Sequence, residues 1–337
     1  MSLRDAAYGF GVLRRPLAYW GFLAWLFGVA VYNLGIVLSI VRLATGLDAP
    51  LRAWVASMLW YSGVPTTAGL LLFVVDILIM LPYKRRMERR ADAAPLADTS
   101  VTVALTAYND EGSIANAVKD FQGQGMVRRV IVVSNNSRDA TEERARQAGA
   151  IVVNEPQQGY GHCVHRCLTE ALRHSDTSYV VLCEGDGTFR GDDIAKLLQY
   201  RQHADIVNGT RIVEQLRDYR TQLTTFMYYG NFFMGKLLEL KHLGRGTFTD
   251  VGTTYKLVSQ ECLERILPHL DPRVNLEFNA HFMDVALSRG ALMVECPITF
   301  HPRVGVSKGG NVSNTRAIKV GLRMFVGLSF GWRWLRT

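Results

Sequence analysis

Two carboxylates one residue apart, Glu184 and Asp186, close the segment Tyr179-Val-Val-Leu-Cys-Glu-Gly-Asp-Gly-Thr-Phe189. The apolar, β-branched run before them reads as a buried strand. Glycines at 185 and 187 let the backbone turn sharply and let a bulky anion come close. Carboxylates at the carboxyl end of a buried strand are placed to hold a divalent metal carrying a diphosphate. An acidic turn that merely closes a strand is the competing reading of this segment, and the surrounding elements decide between them.

From residue 101 the pattern is alternating strands and helices. Strands are expected over 101–105, 130–133, 150–153, 179–183 and 204–208. Helices are expected over 110–121, 140–148, 160–174 and 193–203. Such alternation predicts an α/β fold with a mostly parallel sheet, flanking helices, and ligands at the carboxyl ends of the strands. Each strand end is polar: Thr106-Ala-Tyr-Asn-Asp-Glu111, Ser134-Asn-Asn-Ser-Arg-Asp139, Asn154-Glu-Pro-Gln-Gln-Gly-Tyr-Gly161, Glu184-Gly-Asp186 and Asn208-Gly-Thr-Arg211. One such end is an ordinary helix cap. Five along one sheet edge read as a site.

The 337 residues allow one sizeable domain plus extra elements, and the apolar content is uneven. Residues 17–41 carry no charge and one strongly polar side chain, Asn33. At ~1.5 Å per residue that stretch covers roughly 37 Å, enough to cross a ~30 Å hydrocarbon core. Residues 54–82 form a second candidate, interrupted only by Asp76. A signal peptide is the alternative for the first stretch, but the run is long and a second follows. Arg4, Arg14 and Arg15 precede the pair and Lys84, Arg85, Arg86, Arg89 and Arg90 follow it, against Arg42 and Arg52 between. The positive-inside rule then puts both ends in the cytoplasm, with the protein integral to a plasma, inner or endoplasmic-reticulum membrane. Asp76 reads either as a functional intramembrane carboxylate or as a helix-end contact.

Five cysteines without metal or disulfide spacing fit a reducing cytosol. The formal charge of +8 suits an anionic membrane surface and anionic substrates; no nucleic-acid motif accompanies it. Residues 91–100 read as a linker. The aromatic, methionine-rich stretch 216–243 reads as a core helix pair or a membrane-facing amphipathic segment. The final stretch, 314–337, reads as an amphipathic helix at the membrane interface.

The ordered set Tyr108-Asn-Asp-Glu111, Asn135-Asn-Ser137 with Asp139 and Thr141, Gly159-Tyr-Gly161 and Glu184-Gly-Asp186 resembles the family 2 glycosyltransferases of GT-A fold. The resemblance covers roughly 101–308. It implies base and ribose contacts near Ala107, Asn109, Glu111, Asn136 and Gly159. Gly185 and Arg211 would also face the nucleotide sugar, Glu184 and Asp186 would hold Mg2+ or Mn2+, and Asp186 and Asp250 would be catalytic. Departures are Asp110 for glutamate, Ser134 for a common aspartate, and Glu184 for the first aspartate of the metal motif. Asp250-Val-Gly-Thr-Thr-Tyr-Lys256 resembles a donor-sugar segment of the family. Glu295-Cys-Pro-Ile298 and Arg303-Val-Gly-Val-Ser-Lys308 resemble dolichyl-phosphate mannose synthase and its bacterial relatives, in which the arginine, serine and lysine bind a polyprenyl phosphate. That implies acceptor contacts at Arg303, Ser307 and Lys308.

The expected organisation is therefore a membrane hairpin within 1–92, a GT-A domain over 97–313, and the interfacial helix. The expected reaction is inverting transfer from a nucleotide diphosphate sugar, UDP-linked by family weight, to a polyprenyl phosphate; self-association is compatible with it. A glycolipid synthase using Asp250 as base, and a non-catalytic membrane scaffold on the same fold, are the competing readings. Gly331-Trp-Arg-Trp334 is too slight an echo of the processive synthases to favour chain building. No Gly-x-Gly-x-x-Gly opens a helix after the first strand, so a Rossmann dehydrogenase fits poorly.

Overall fold

A computed structural model describes residues 16–46, 48–84, 99–243, 245–305 and 314–335. The chain divides into two compact units, one built on the N-terminal helices and one on the sheet. The basic residues 4, 14, 15, 85, 86, 89 and 90, the linker 91–98, and Ser307 and Lys308 lie outside the described residues.

The first unit contains α1 (Leu17–Thr45), α2 (Asp48–Tyr61) and α3 (Gly63–Lys84). Two stretches are long and apolar enough to cross a membrane, Leu17–Thr45 with mean hydropathy 2.0 and Arg52–Asp76 with 1.5. The second apolar run is broken at Ser62 rather than continuous. Pro65 sits in the first turn of α3, where its missing N–H is tolerated, but it could not sit inside one long helix without loss of a backbone bond. The Ser62 hydroxyl donates to Leu59 O at 3.0 Å and the Thr66 hydroxyl to Ser62 O at 2.7 Å, so side chains bond two of the carbonyls at the break. Asp76 resolves as a helix-end contact: its Oδ2 accepts the Ala18 N–H at 2.7 Å, at the positive end of α1.

Outward-facing Phe27, Leu43, Trp60 and Leu78 are exposed, whereas α1 meets α3 through small residues. A Cβ on Gly28 would lie 2.2 Å from Thr66 Oγ1 and 2.7 Å from Ser62 O. Close backbone approach of this kind brings the two helices together without bulky side chains between them. Gly28→Val is expected to loosen the hairpin by about 1–3 kcal/mol, the range for overpacking. Gly63→Ala, whose added carbon meets nothing within 4 Å, should be close to neutral. The check is helicity against SDS fraction; equal midpoints for both variants would contradict the packing.

The second unit is a seven-stranded sheet of order β3-β2-β1-β4-β6-β5-β7. Its strands are β1 (Val101–Ala107), β2 (Val127–Ser134), β3 (Ile151–Asn154), β4 (Tyr179–Glu184), β5 (Ile206–Thr210), β6 (Lys256–Ser259) and β7 (Met293–Pro297). Interleaved helices are α4 (Ile114–Gln122), α5 (Thr141–Gln147), α6 (Tyr160–Leu172), α7 (Asp193–Gln199), α8 (Thr225–Lys241), α9 (Gln260–Ile266), α10 (Phe278–Ser288) and α11 (Asn314–Phe330). Every residue of β1 is buried, as its unbroken apolar run requires of a strand covered on both faces. Val103, Leu105, Phe121, Val132, Val181 and Tyr255 belong to one buried cluster.

Register sets the site. Ala107 pairs with Ser134 of β2, and Thr106 with Glu184 of β4, so three strands end level. β6 runs antiparallel to both β4 and β5, with Lys256 opposite Leu182. The start of β6, rather than its end, therefore reaches the same edge and carries residues 250–255 there.

Besides shifted ends elsewhere, such as the helix expected to 203 that stops at Gln199, three expected elements differ. The helix expected from 110 begins at Ile114, because the Asp110 carbonyl accepts the N–H groups of Ser113 and Ile114 in a preceding turn. The 216–243 stretch holds one helix, α8, not a pair; it buries Met234, Leu237 and Leu238 and exposes Phe226, Tyr229, Phe232 and Phe233. The C-terminal stretch divides into α11 and a short 3-10 turn, Trp332–Leu335. One side of it docks on α10: Trp332 Nε1 donates to Asp284 Oδ2 at 2.7 Å and Arg323 Nε to Glu277 Oε1 at 2.8 Å. Ile318, Lys319 and Leu322 remain exposed on α11.

Candidate active site

The first two strand ends are locked to each other. Asn109 takes φ 51° and Asn136 φ 59°, left-handed positions that asparagine tolerates better than most residues. Asn109 Oδ1 accepts the Arg138 N–H at 2.8 Å, and Glu111 Oε2 the Ala140 N–H at 3.1 Å. In return, the N–H groups of Asn109, Asp110 and Glu111 donate to Ser137 Oγ, Thr141 Oγ1 and Asp139 Oδ2. Asn109 and Glu111, expected as nucleotide contacts, thus brace the loop of β2. Asn136 is exposed at the rim, and the Ala107 carbonyl accepts the Asn135 N–H at 2.8 Å. Ser134 is fully buried and its hydroxyl meets Ser137 Oγ at 2.9 Å, so where an aspartate is common this chain has a loop brace.

Asn135 reaches the third strand end: its Oδ1 accepts the Gly159 N–H at 2.8 Å. Gly161 follows at the start of α6, where a Cβ would lie 2.0 Å from Val274 O, so only glycine admits the crossing backbone. Asn275, in that crossing segment, accepts the Tyr160 N–H at 2.7 Å.

The acidic turn sits at the centre. Asp186 is 2% exposed; its Oδ1 accepts from the Thr188 N–H at 3.0 Å and the Thr188 hydroxyl at 2.5 Å. Its Oδ2 faces Arg303 Nη1 at 3.1 Å, while Arg303 Nη2 reaches Asp110 Oδ1 at 2.9 Å. Arg303 therefore bridges two buried carboxylates from different strand ends. Burial opposes its charge, but Asp186, Asp110 and Glu184 raise its pKa above the usual value. Beside them, burial and the neighbouring Asp186 push Glu184 up to about 7, against the hydrogen bond from Thr254 and the charge of Arg303. The Thr254 hydroxyl donates to Glu184 Oε1 at 2.6 Å.

The donor set suits a hard divalent cation. Among the described residues no three His, Cys, Asp or Glu side chains gather as a complete cage. One or two carboxylates plus substrate phosphates and water is the usual way Mg2+ is held, and Asp186 with Glu184 matches that arrangement.

Arg211, at the end of β5, is pinned rather than free. Asp250 Oδ2 accepts from Arg211 Nε at 2.7 Å and Oδ1 from Nη2 at 2.8 Å. The Arg211 and Gly252 N–H groups complete the set at 3.1 Å each. Burial would raise the Asp250 pKa, but Arg211 more than reverses this and lowers it. Arg211 also lies over the Phe300 ring, 5.2 Å from its centroid. Glu295 supports the turn through the Thr249 and Asp250 N–H groups. Lys256 is fully buried and burial brings its pKa down to about 7; its ammonium donates to Thr253 O.

Of the residues singled out in the sequence, Glu184, Gly185, Asp186 and Arg303 meet at one turn, and Arg211 and Asp250 meet as a pair. Sequence reasoning missed Asp110 as a partner of Arg303, and Tyr160, Thr254 and Asn279 beneath Glu184. Only the antiparallel insertion of β6 brings Thr254 to Glu184, and nothing local to residue 254 signals it.

The pattern of the family described as Glycosyl transferase family 2 matches residues 102–267, which takes in the strand ends from Asn109 to Asp250. The chain carries a family 2 glycosyltransferase domain. Glycosyltransferase AglJ of Haloferax volcanii is 26% identical over 208 residues, 60% of this chain and 64% of that protein. The low-salt glycan biosynthesis hexosyltransferase Agl6 of the same organism is 27% identical over 225 residues, 64% of this chain. The chain thus spans only 64% and 50% of those two relatives' own length. The dolichyl-phosphate hexose transferase of H. volcanii is 27% identical over 230 residues, covering 65% of this chain and 93% of that protein. The crystal structure of glucosyl-3-phosphoglycerate synthase from Mycobacterium tuberculosis superposes with TM-score 0.50 at 17% identity. It covers 71% of this chain and 83% of the other, a likeness of fold. The family 2 domain thus has the GT-A-like architecture implied by the resemblance of its strand-end motifs.

Proposed function

We propose that the chain transfers a sugar from a nucleotide diphosphate sugar, UDP-linked, to a polyprenyl phosphate at the cytoplasmic face of a membrane, inverting the anomeric centre. The observation that carries the reading is the guanidinium of Arg303 set directly on the acidic turn of the family 2 domain. Cation and carboxylates at one point suit a reaction in which two phosphate-bearing reactants must meet. The dolichyl-phosphate hexose transferase among the relatives supports the acceptor class. The apolar hairpin and the exposed Ile318, Lys319 and Leu322 of α11 support a membrane setting.

In the transfer, a lipid phosphate oxygen forms a bond to the anomeric carbon as the bond from that carbon to the diphosphate oxygen breaks. The electron pair leaves on the nucleoside diphosphate. Asp186 and Glu184 would hold a Mg2+ or Mn2+ ion, which would supply positive charge to the departing diphosphate. Arg303 positions the incoming phosphate and offsets its repulsion from the donor. No side chain need remove a proton, because a phosphate monoester is largely ionised near pH 7, its second pKa being about 6. A glycolipid synthase would need a base for a lipid hydroxyl. Its natural candidate, Asp250, already accepts four hydrogen bonds, two of them from the Arg211 side chain.

Transfer of radiolabelled UDP-sugars to polyprenyl phosphate, with the unphosphorylated polyprenol as control, tests the reading. Donor added outside sealed inverted vesicles reads the orientation at the same time. Arg303→Ala is expected to lower transfer efficiency with polyprenyl phosphate by about ten- to hundredfold, the loss of one charge-assisted contact. Equal use of polyprenol by the wild type, or an Arg303→Ala variant with unchanged lipid saturation, would contradict it.

A further inference from the structure

Beneath Glu184 lies a chain of hydrogen bonds that runs in one direction only. Asn279, the second residue of α10, places its Nδ2 3.0 Å from Gly252 O, 3.0 Å from the Tyr160 hydroxyl and 3.2 Å from Thr254 Oγ1. A backbone carbonyl can only accept, so the atom facing Gly252 must be the amide nitrogen. The opposite rotamer would set two acceptors against each other. Asn279 Oδ1 is accordingly turned away, buried and without a hydrogen-bond partner among the described residues. A residue kept only to fill space would not leave a polar atom in that position.

With the amide fixed as donor, the hydroxyls follow. Tyr160 accepts from Asn279, and its single hydrogen points to Thr254 Oγ1, 2.5 Å away. The single hydrogen of Thr254 then points to Glu184 Oε1 at 2.6 Å. Each hydroxyl uses its one hydrogen once, and the chain ends on a carboxylate oxygen that can accept it. The three residues come from the start of α6, the turn before β6, and α10.

We propose that Asn279 is a positioning residue whose donor polarity, passed through Tyr160 and Thr254, holds one oxygen of Glu184 and leaves the other for the metal. This rests on the reading of Glu184 and Asp186 as the metal pair. It makes Asn279 and Thr254 determinants of metal affinity although neither would touch the ion, and it explains why a half-buried glutamate serves where an aspartate is common. The longer glutamate side chain reaches back to Thr254 and is tethered there.

Isosteric reversal of polarity is the test. Asn279→Asp keeps the size but turns a donor into an acceptor, so Tyr160 is drawn to donate backwards. Thr254→Val removes the hydrogen that meets Glu184, and Thr254→Ser keeps it. Binding of Mn2+ in the presence of UDP or GDP, read by electron paramagnetic resonance and calorimetry, should weaken about tenfold or more in Asn279→Asp and Thr254→Val. Thr254→Ser should stay within about threefold of the wild type, and the Michaelis constant for metal should rise more than kcat falls. Wild-type Mn2+ affinity in Asn279→Asp, or equal loss in Thr254→Val and Thr254→Ser, overturns the proposal. Asp186→Asn separates the two levels of argument. If it abolishes Mn2+ binding while the Asn279 and Thr254 variants bind normally, the metal pair stands and the relay falls. If the wild type itself binds no Mn2+, both fall.

Discussion

Asp186→Asn is expected to lower sugar transfer by about three orders of magnitude, the loss of several kcal/mol of charge stabilisation at the departing diphosphate. The fold should survive. The Oδ1 position still accepts the Thr188 N–H and hydroxyl, and Arg303 keeps Asp110 as its partner. Glu184 loses a like charge beside it, which offsets the lost contact with Arg303. Single-turnover transfer with saturating Mg2+ or Mn2+, alongside a thermal melt, separates these effects. Turnover within tenfold of wild type would remove Asp186 from the metal site, whereas a collapsed melt would make the carboxylate structural.

Much of this was legible in the chain because the information is local. Apolar runs ending in Asn109, Asn136 and Glu184 mark where buried strands surface, and a parallel sheet brings such ends to one edge whatever the strand order. Strand order itself is not local. That β6 runs backwards beside β4 follows from pairing across more than seventy residues, and it alone puts Thr254 under Glu184. Side-chain partners are equally non-local. Arg303 reads as a basic loop residue until the turn Val304 N–H to Asp186 O, at 3.1 Å, folds it over the acidic pair. The roles expected of Asn109 and Glu111 illustrate a subtler limit. Their types and places were readable, but not that N–H groups of the neighbouring loop also donate to Asn109 Oδ1 and Glu111 Oε2. The break at Ser62 was available in principle, since Pro65 cannot donate within a helix; apolarity alone concealed it.

Arg211→Met should destabilise the family 2 domain by about 3–5 kcal/mol, the cost of leaving a buried carboxylate without its partner. Asp250 is fully buried and Arg211 13% exposed at the side chain, so solvent screening does little to soften the loss. The double variant Arg211→Met with Asp250→Leu should recover much of it, because an apolar pair carries no uncompensated charge. Thermal and denaturant unfolding of the three proteins measures this directly. Adding Asp250→Asn to the set discriminates between acceptors. If Asp250 served as a base for a lipid hydroxyl, Asp250→Asn would cut kcat far more than its loss of stability accounts for. If it serves to hold Arg211, Asp250→Asn lowers stability, because the guanidinium loses a bidentate carboxylate that also ties down the Arg211 and Gly252 N–H groups. A stable Asp250→Asn protein with kcat abolished would move the chemistry from the phosphate of the acceptor to a hydroxyl. An unstable one, rescued by restoring apolar packing, would leave Arg303 and the acidic turn as the place where the sugar changes hands.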